Sequence, residues 1–147
     1  MFTHLHTHSN YSFQRGTIKP EVLPVLAGEA RVRTHTAPVP ELALGSVPPG
    51  THVLVMTHDH AEDFALCDAA LRCTHLGTIG LIGSAAKWSR FRSGLTVEGH
   101  DAATIDRIRC PIGLPDLGGS KEPAAIAVSV AAELLALFAA DRARVSR

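Results

Sequence analysis

The sequence has few of the features that mark secreted, membrane or nucleic-acid-binding proteins. Only three of its 147 residues are cysteine, and none forms a C-x-x-C pair. This odd number argues against a disulfide framework and favours a reducing cytoplasm. The start of the chain also lacks the basic residues and apolar run of a signal peptide. We therefore expect a cytoplasmic protein.

Long apolar runs and charge of one sign are scarce as well. The longest apolar stretch, residues 124–140, contains Ser129 and Glu133 and is short for a membrane span. Fourteen basic residues balance fourteen acidic ones, without a dense Lys/Arg stripe. The sequence therefore predicts neither a membrane nor a nucleic acid as partner, and favours an anionic small molecule or a protein surface.

The composition present is that of a globular domain, with 46% hydrophobic and 19% charged residues. Six prolines in residues 1–50 break regular structure, so this segment is predicted to be irregular and not an independent domain. From Thr51 onward apolar runs alternate with helical patterns, which is typical of a parallel sheet with helical crossovers. The prediction is an α/β fold, a partial Rossmann-like parallel sheet flanked by helices, preceded by a Pro-rich irregular N-terminal segment.

The predicted elements follow from local patterns and caps. Asp59 or His60 is expected to begin a helix, and Ser84 to cap another. A short helix is expected to open at Asp101. The expected strands are 52–56 and one within 76–82, with an extended segment at 110–114; the expected helices are 59–72, 84–95, 101–108 and a long one from about 122.

A first candidate site follows the first predicted strand, where Thr57, His58, Asp59 and His60 lie. Ligands of open α/β sheets bind outside the carboxyl ends of the strands. Polar side chains and the following helix N-terminus would suit an anion there. The alternative, in which Asp59 only caps a helix and the histidines face solvent, is left open.

A second candidate site is the turn after the next strand. Gly80 and Gly83 would let backbone approach a ligand, and Ser84 opens a helix whose N–H groups suit phosphate. The run lacks the full G-x-G-x-x-G fingerprint, so a tight turn with a serine cap is the alternative. Positive charge on the next helix could serve a phosphate or a partner, or could simply form a solvated face; the residues that carry it are Lys87, Arg90 and Arg92.

Four sequence blocks in order resemble the C-terminal domain of the XdhC/CoxI family of xanthine dehydrogenase accessory proteins. They are VLVMTHDH at 53–60, GLIGS at 80–84, CPIGLP at 110–115, and KEP at 121–123 with IAVSVAAELL at 126–135. The resemblance covers roughly residues 51–138 and implies a Rossmann-like domain. The resulting prediction is an irregular segment at 1–50 followed by this domain at 51–147. The predicted cofactor-binding residues are Thr57, His58, Asp59, His60, Gly80, Gly83, Ser84 and Lys121.

The resemblance implies a maturation factor that is not an enzyme. Such a factor would bind molybdenum cofactor (molybdopterin) transiently and assist its insertion into xanthine dehydrogenase or a related molybdoenzyme, with a cysteine desulfurase as a further partner. The family's glycine-rich turn has no counterpart before Thr51. We therefore expect a domain truncated at its start, and the alternative that this chain alone binds no cofactor stays open. A strand edge left exposed by the missing part would favour a homo-oligomer.

The N-terminus separately resembles the first motif of PHP-domain phosphoesterases. That resemblance rests on FTHLHTHSNYS at residues 2–12, where His6 and His8 would be metal ligands. Two residues apart on a strand, they would project to the same side. The later His, Glu and Asp motifs of that family do not follow, and catalysis needs a multi-ligand site. A PHP-type metal-dependent phosphoesterase fragment and a generic nucleotide-binding Rossmann domain are therefore the alternative functions.

Overall fold

A computed structural model describes residues 39–57, 59–114 and 122–145. The chain divides into two compact units, residues 1–110 and residues 111–147, which are described separately. Residues 1–38, which hold most of the predicted irregular segment, lie outside the described residues.

The first unit alternates strands and helices along the chain. Among the described residues the strands are β1 Val53–Val55, β2 Ile79–Leu81 and β3 Ile108–Arg109, and they pair in parallel in that order, with Val53 opposite Ile79 and Ile79 opposite Ile108. This arrangement confirms the predicted α/β fold with a Rossmann-like parallel sheet flanked by helices. In chain order the elements are a 3₁₀ helix Pro40–Ser46, β1 Val53–Val55, α1 His60–Arg72, β2 Ile79–Leu81, α2 Ala85–Val97, α3 Ala102–Ile105 and β3 Ile108–Arg109.

The starts of the three helices follow the predicted caps. The Asp59 carboxylate accepts hydrogen bonds from the Ala61 and Glu62 N–H groups at 2.7 and 3.0 Å. The Ser84 hydroxyl accepts one from the Lys87 N–H at 3.2 Å. Each cap satisfies donors that have no partner within the first helical turn. Asp101 caps α3 in the same way, through the Thr104 N–H.

Two predicted elements differ from the structure. The helix expected over 101–108 ends at Ile105, and Ile108 belongs to β3. The helix is short because the chain turns immediately after it to pair with β2. The first strand was expected over 52–56, but β1 covers only Val53–Val55, and of its residues only Val55 is buried.

The core of the first unit lies around β2. All three residues of β2 are buried, and α1 packs against both β1 and β2. Burying such side chains contributes about 1.5–3 kcal/mol each. The largest apolar side chains that are completely buried there are Leu44, Val55, Cys67, Ile79, Leu81, Leu95 and Ile105.

A backbone contact fixes the amino-terminal end of the sheet. A Cβ added to Gly77 would lie 2.8 Å from the Gly50 carbonyl oxygen, so the two backbones approach closer than any side chain allows. The Gly50 N–H donates to the His75 carbonyl at 2.7 Å, and the Gly77 N–H to the Thr51 carbonyl at 2.9 Å. The residues that precede β1 are therefore hydrogen-bonded to the residues that precede β2.

The described part of the second unit comprises residues 111–114, which form no regular secondary structure, and α4, Pro123–Val145. The buried Glu133 carboxylate accepts a hydrogen bond from the Gly113 N–H. The Ser129 hydroxyl, also buried, donates to the Leu114 carbonyl at 3.3 Å. The polar residues of this apolar helix thus bind the segment that precedes it.

By length and composition, α4 could cross a membrane. The span Pro123–Ala143 has 21 residues and contains an 18-residue window with a mean hydropathy of 2.0. The candidate span is longer than the predicted apolar stretch 124–140 because it also includes Pro123, Ala143 and the charged residues Asp141 and Arg142. Core helices of soluble proteins meet the same criterion, so the absence of a membrane partner stays a prediction.

Candidate functional site

The two predicted binding loops lie at the same edge of the sheet. β1 and β2 are parallel and in register, so both strands end there, and the Ile82 N–H donates to the Val55 carbonyl at 3.0 Å. We call the residues that follow the two strands, 56–57 and 82–84, the carboxyl edge. Open α/β sheets bind ligands in this position.

A buried ion pair joins the two halves of the carboxyl edge. Asp63, in the first turns of α1, is fully buried, and Lys87, in the first turn of α2, is 7% exposed. The Lys87 ammonium contacts the Asp63 carboxylate. Removing one partner of such a pair leaves an uncompensated buried charge, which costs about 3–5 kcal/mol.

Each member of the pair also binds one of the loops. Asp63 Oδ1 accepts a hydrogen bond from the Thr57 N–H at 2.9 Å, which holds the chain leaving β1. Lys87 Nζ donates to the Ile82 carbonyl at 3.0 Å, which holds the chain leaving β2. The same ammonium lies 5.3 Å from the centre of the Phe91 ring, a favourable cation–π distance.

The environment of Lys87 therefore differs from both environments that the sequence suggested. It was predicted to hold a phosphate or to belong to a solvated face, but it is buried and its charge is neutralised by Asp63. Sequence reasoning missed Asp63 altogether. A signal was present, because Asp63 shares the apolar face of α1 with Leu66 and Ala70, where a carboxylate needs a partner. Lys87 likewise lies four residues before the buried Phe91.

The glycines of the second loop have different environments. Gly80 lies within β2, opposite Leu54 and Arg109, and not in the predicted turn, because the strand continues to Leu81. A Cβ added to Gly83 would lie 2.7 Å from Lys87 Cδ. The space beside Gly83 is thus filled by the stem of Lys87.

Backbone donors at the start of α2 lie at the carboxyl edge. The N–H groups of Ala85 and Ala86 take no partner among the described residues, as is normal in a first helical turn. Ser84 is exposed beside them, and the first turn of α2 carries no acidic residue. These N–H groups, the Ser84 hydroxyl and the helix dipole form a donor set that fits a phosphate. The phosphate of a pterin cofactor is one such group.

The first turn of α1 is arranged differently. The Asp59 carboxylate occupies the Ala61 and Glu62 N–H groups, as the capping alternative predicts, and His60 is exposed. The Thr57 hydroxyl donates to the Asp59 carbonyl at 2.9 Å. The α1 N-terminus is therefore already neutralised by the chain's own carboxylate.

The remaining predicted residues cannot be located on this edge. His58 and Lys121 lie outside the described residues, as do His6 and His8. Within residues 39–57, 59–114 and 122–145, no three His, Cys, Asp or Glu side chains are grouped to hold a metal ion. The cofactor-binding roles of the eight predicted residues stay predictions.

All three cysteines are free thiols, and two lie near the ion pair. Burial raises the pKa of Cys67 to about 12, and the negative charge of Asp63 adds to this effect. Burial likewise raises the pKa of Cys110 to about 11, and its Sγ lies 3.9 Å from the Gly83 carbonyl oxygen. Both thiols are therefore protonated at neutral pH, which is the opposite of an activated nucleophile.

Comparison with known proteins identifies the family. Residues 8–134 match the family model of the XdhC Rossmann domain. No curated protein matches the chain significantly. The match begins within the segment predicted to be irregular, and the domain boundary at Thr51 stays a prediction. Because the match covers most of the chain and agrees with the parallel sheet and its carboxyl edge, the protein belongs to the family of the XdhC Rossmann domain.

Proposed function

We propose that the chain is a molybdoenzyme maturation factor that binds molybdenum cofactor transiently and assists its insertion into xanthine dehydrogenase or a related enzyme. The observation that carries the proposal is the family match over residues 8–134. In this proposal the chain is a cofactor-delivery chaperone and not an enzyme. A cysteine desulfurase is a further proposed partner, and the free cysteines suit a cytoplasmic location.

The carboxyl edge supports the proposal through its donors. The N–H groups of Ala85 and Ala86 and the hydroxyl of Ser84 would bind the phosphate of the pterin, while the α2 dipole favours its negative charge. The bound cofactor would supply the molybdenum chemistry of the target enzyme. The chain's own task is to bind the phosphate reversibly, and exchangeable hydrogen bonds from neutral donors suit release to a second protein.

Cofactor retention by the purified chain tests the proposal. The chain is mixed with molybdenum cofactor released from a molybdoenzyme under anaerobic conditions and then passed through a gel-filtration column. We expect molybdenum and pterin fluorescence to elute with the protein. A Ser84→Asp variant should retain much less of both, because aspartate caps a helix as well as serine does but repels a phosphate.

The matched control is Ser89→Asp, which adds the same charge to an exposed position farther along α2. It should retain cofactor as the unchanged chain does. Association with apo-xanthine dehydrogenase is measured in parallel by pull-down with the purified chain. Absence of both cofactor retention and association would contradict the proposal.

A further inference from the structure

The Asp63–Lys87 pair is the strongest feature of the molecule that the proposed function does not use. It is buried at the carboxyl edge, yet its charges neutralise each other, so it offers no net charge to a ligand. Buried ion pairs are weak contributors to stability, because desolvation offsets most of their attraction. Its position needs a different explanation.

The contacts of the pair supply that explanation. Asp63 bonds the Thr57 N–H in the loop after β1, and Lys87 bonds the Ile82 carbonyl in the loop after β2. The ion pair connects these two bonds, so one continuous chain of polar contacts runs from Thr57 to Ile82. Two loops that belong to different strands are thereby held at a fixed separation.

The surroundings of Lys87 maintain this connection. Gly83 has no side chain, which leaves room for the Lys87 stem, since a Cβ there would lie 2.7 Å from Lys87 Cδ. On the other side the ammonium lies 5.3 Å from the centre of the Phe91 ring. The absence of a side chain at Gly83 and the ring of Phe91 thus both accommodate Lys87 in its contacts with Asp63 and Ile82.

We propose that Asp63 and Lys87 are positioning residues, which hold the two loops of the carboxyl edge in the arrangement that binds a ligand. They touch no ligand themselves. The consequence for binding rests on the proposed function, whereas the coupling of the two loops does not. A preorganised site avoids the entropy cost of ordering its loops on binding, so the connection would raise affinity without a direct contact.

The test uses the double variant Asp63→Asn/Lys87→Met, which removes both charges and leaves neither one buried alone. The amide oxygen of the asparagine can still accept the Thr57 hydrogen bond, whereas the methionine keeps an apolar stem but loses the ion pair, the bond to the Ile82 carbonyl and the cation–π contact with Phe91. Amide hydrogen exchange is measured in the full chain, together with the cofactor retention described above. We expect exchange at Thr57 and Ile82 to become roughly tenfold faster, as loss of a buried polar link would produce.

Two controls distinguish faster amide exchange at the carboxyl edge from destabilisation of the whole fold. The Val53 N–H, which donates to the Thr78 carbonyl at the opposite edge, should keep its exchange rate. The control variant Asp106→Asn/Arg92→Met removes both charges of an exposed ion pair in the same way. It should leave the exchange rates of the carboxyl edge unaltered.

The outcomes distinguish this inference from the proposed function. If the unchanged chain binds cofactor and Asp63→Asn/Lys87→Met binds it equally well, the positioning role is overturned while the proposed function stands. If the unchanged chain neither retains cofactor nor associates with apo-xanthine dehydrogenase, the proposed function fails, and the exchange rates at Thr57 and Ile82 alone decide whether the loops are coupled. Unaltered exchange there overturns the inference in every case.

A second variant covers the possibility that the double variant does not fold. Gly83→Ala keeps both charges and displaces the Lys87 stem instead. We expect it to speed exchange at Thr57 and Ile82 in the same direction, and unaltered exchange in this variant would also overturn the inference.

Discussion

Gly94 in α2 faces the ring of Phe64 in α1, and its replacement by alanine tests how closely the two helices are packed. A Cβ at this position would lie 2.7 Å from Phe64 Cε2 and 3.0 Å from Cζ. The ring cannot move freely, because it packs edge-on against the buried Phe91 with the ring centres 5.4 Å apart. Relief of the clash therefore requires a shift of packed groups.

Two effects of Gly94→Ala oppose each other. Alanine favours a helix interior over glycine by about 1 kcal/mol. Overpacking of a formed contact costs about 1–3 kcal/mol. The clash should win, and we expect the free energy of unfolding to fall by about 1 kcal/mol, or roughly 3 °C in the melting temperature.

Urea unfolding in two backgrounds checks this reasoning. In a Phe64→Leu background the ring is absent, so Gly94→Ala should instead stabilise the chain by up to about 1 kcal/mol through helix propensity. Gly45→Ala is the control, because nothing lies within 4 Å of its added Cβ. It should be neutral or slightly stabilising. An equal destabilisation by Gly94→Ala in both backgrounds would refute the clash as its cause.

Three further results are expected from single side chains. Burial raises the pKa of Cys110 to about 11, so iodoacetamide labelling followed by mass spectrometry should be slow at pH 8 and accelerate only towards pH 11; fast labelling at pH 8 would count against this environment. Partial burial raises the pKa of Asp68, but hydrogen bonds from Arg72 and His100 outweigh it, so the pKa is lowered from 3.8. The ionised Asp68 carboxylate therefore stabilises the folded chain at pH values above its pKa in the unfolded chain, and this stabilisation is lost as the pH falls through the lowered pKa of the folded chain. In urea unfolding, Asp68→Asn should accordingly lose less stability between pH 6 and pH 3 than the unchanged chain does. Ser84→Ala removes the cap of α2 and should cost about 1 kcal/mol in the same assay, whereas Ser84→Asp should cost little; equal losses would show that the cap is not the cause.

Structural features that depend only on residues close together in the sequence, such as helix caps and the alternation of strands and helices, were predicted correctly. Asp59 and Ser84 were recognisable as caps because each bonds N–H groups two or three residues further along. The alternation of apolar runs and helical patterns likewise predicted the parallel sheet, which follows from local burial patterns. The sharing of one sheet edge by Thr57 and Ser84 then follows from parallel strands.

Features that depend on distant pairing were not predictable in the same way. Ile108 was expected to be helical, because a strand of two residues has no period of its own and is defined only by pairing with Ile79. The contact of Lys87 with Asp63 joins residues 24 apart, and no local pattern specifies which buried charge pairs with which. Gly80 was misplaced in the turn for a related reason, since only its pairing with Leu54 and Arg109 shows that β2 continues through it.

Gly77 has a consequence for the opposite edge of the sheet. β1 and β2 pair over only three residues, and so short a ladder could slip in register, which would turn every β1 side chain to the other face. The close approach of Gly77 to the Gly50 carbonyl admits one alignment, because a displaced strand would bring a bulkier residue to that point. The register at the amino-terminal ends of β1 and β2 therefore also fixes the relative positions of Thr57 and Ile82 at the carboxyl edge. Replacement of Gly77 by alanine would alter those positions although residue 77 contacts neither loop.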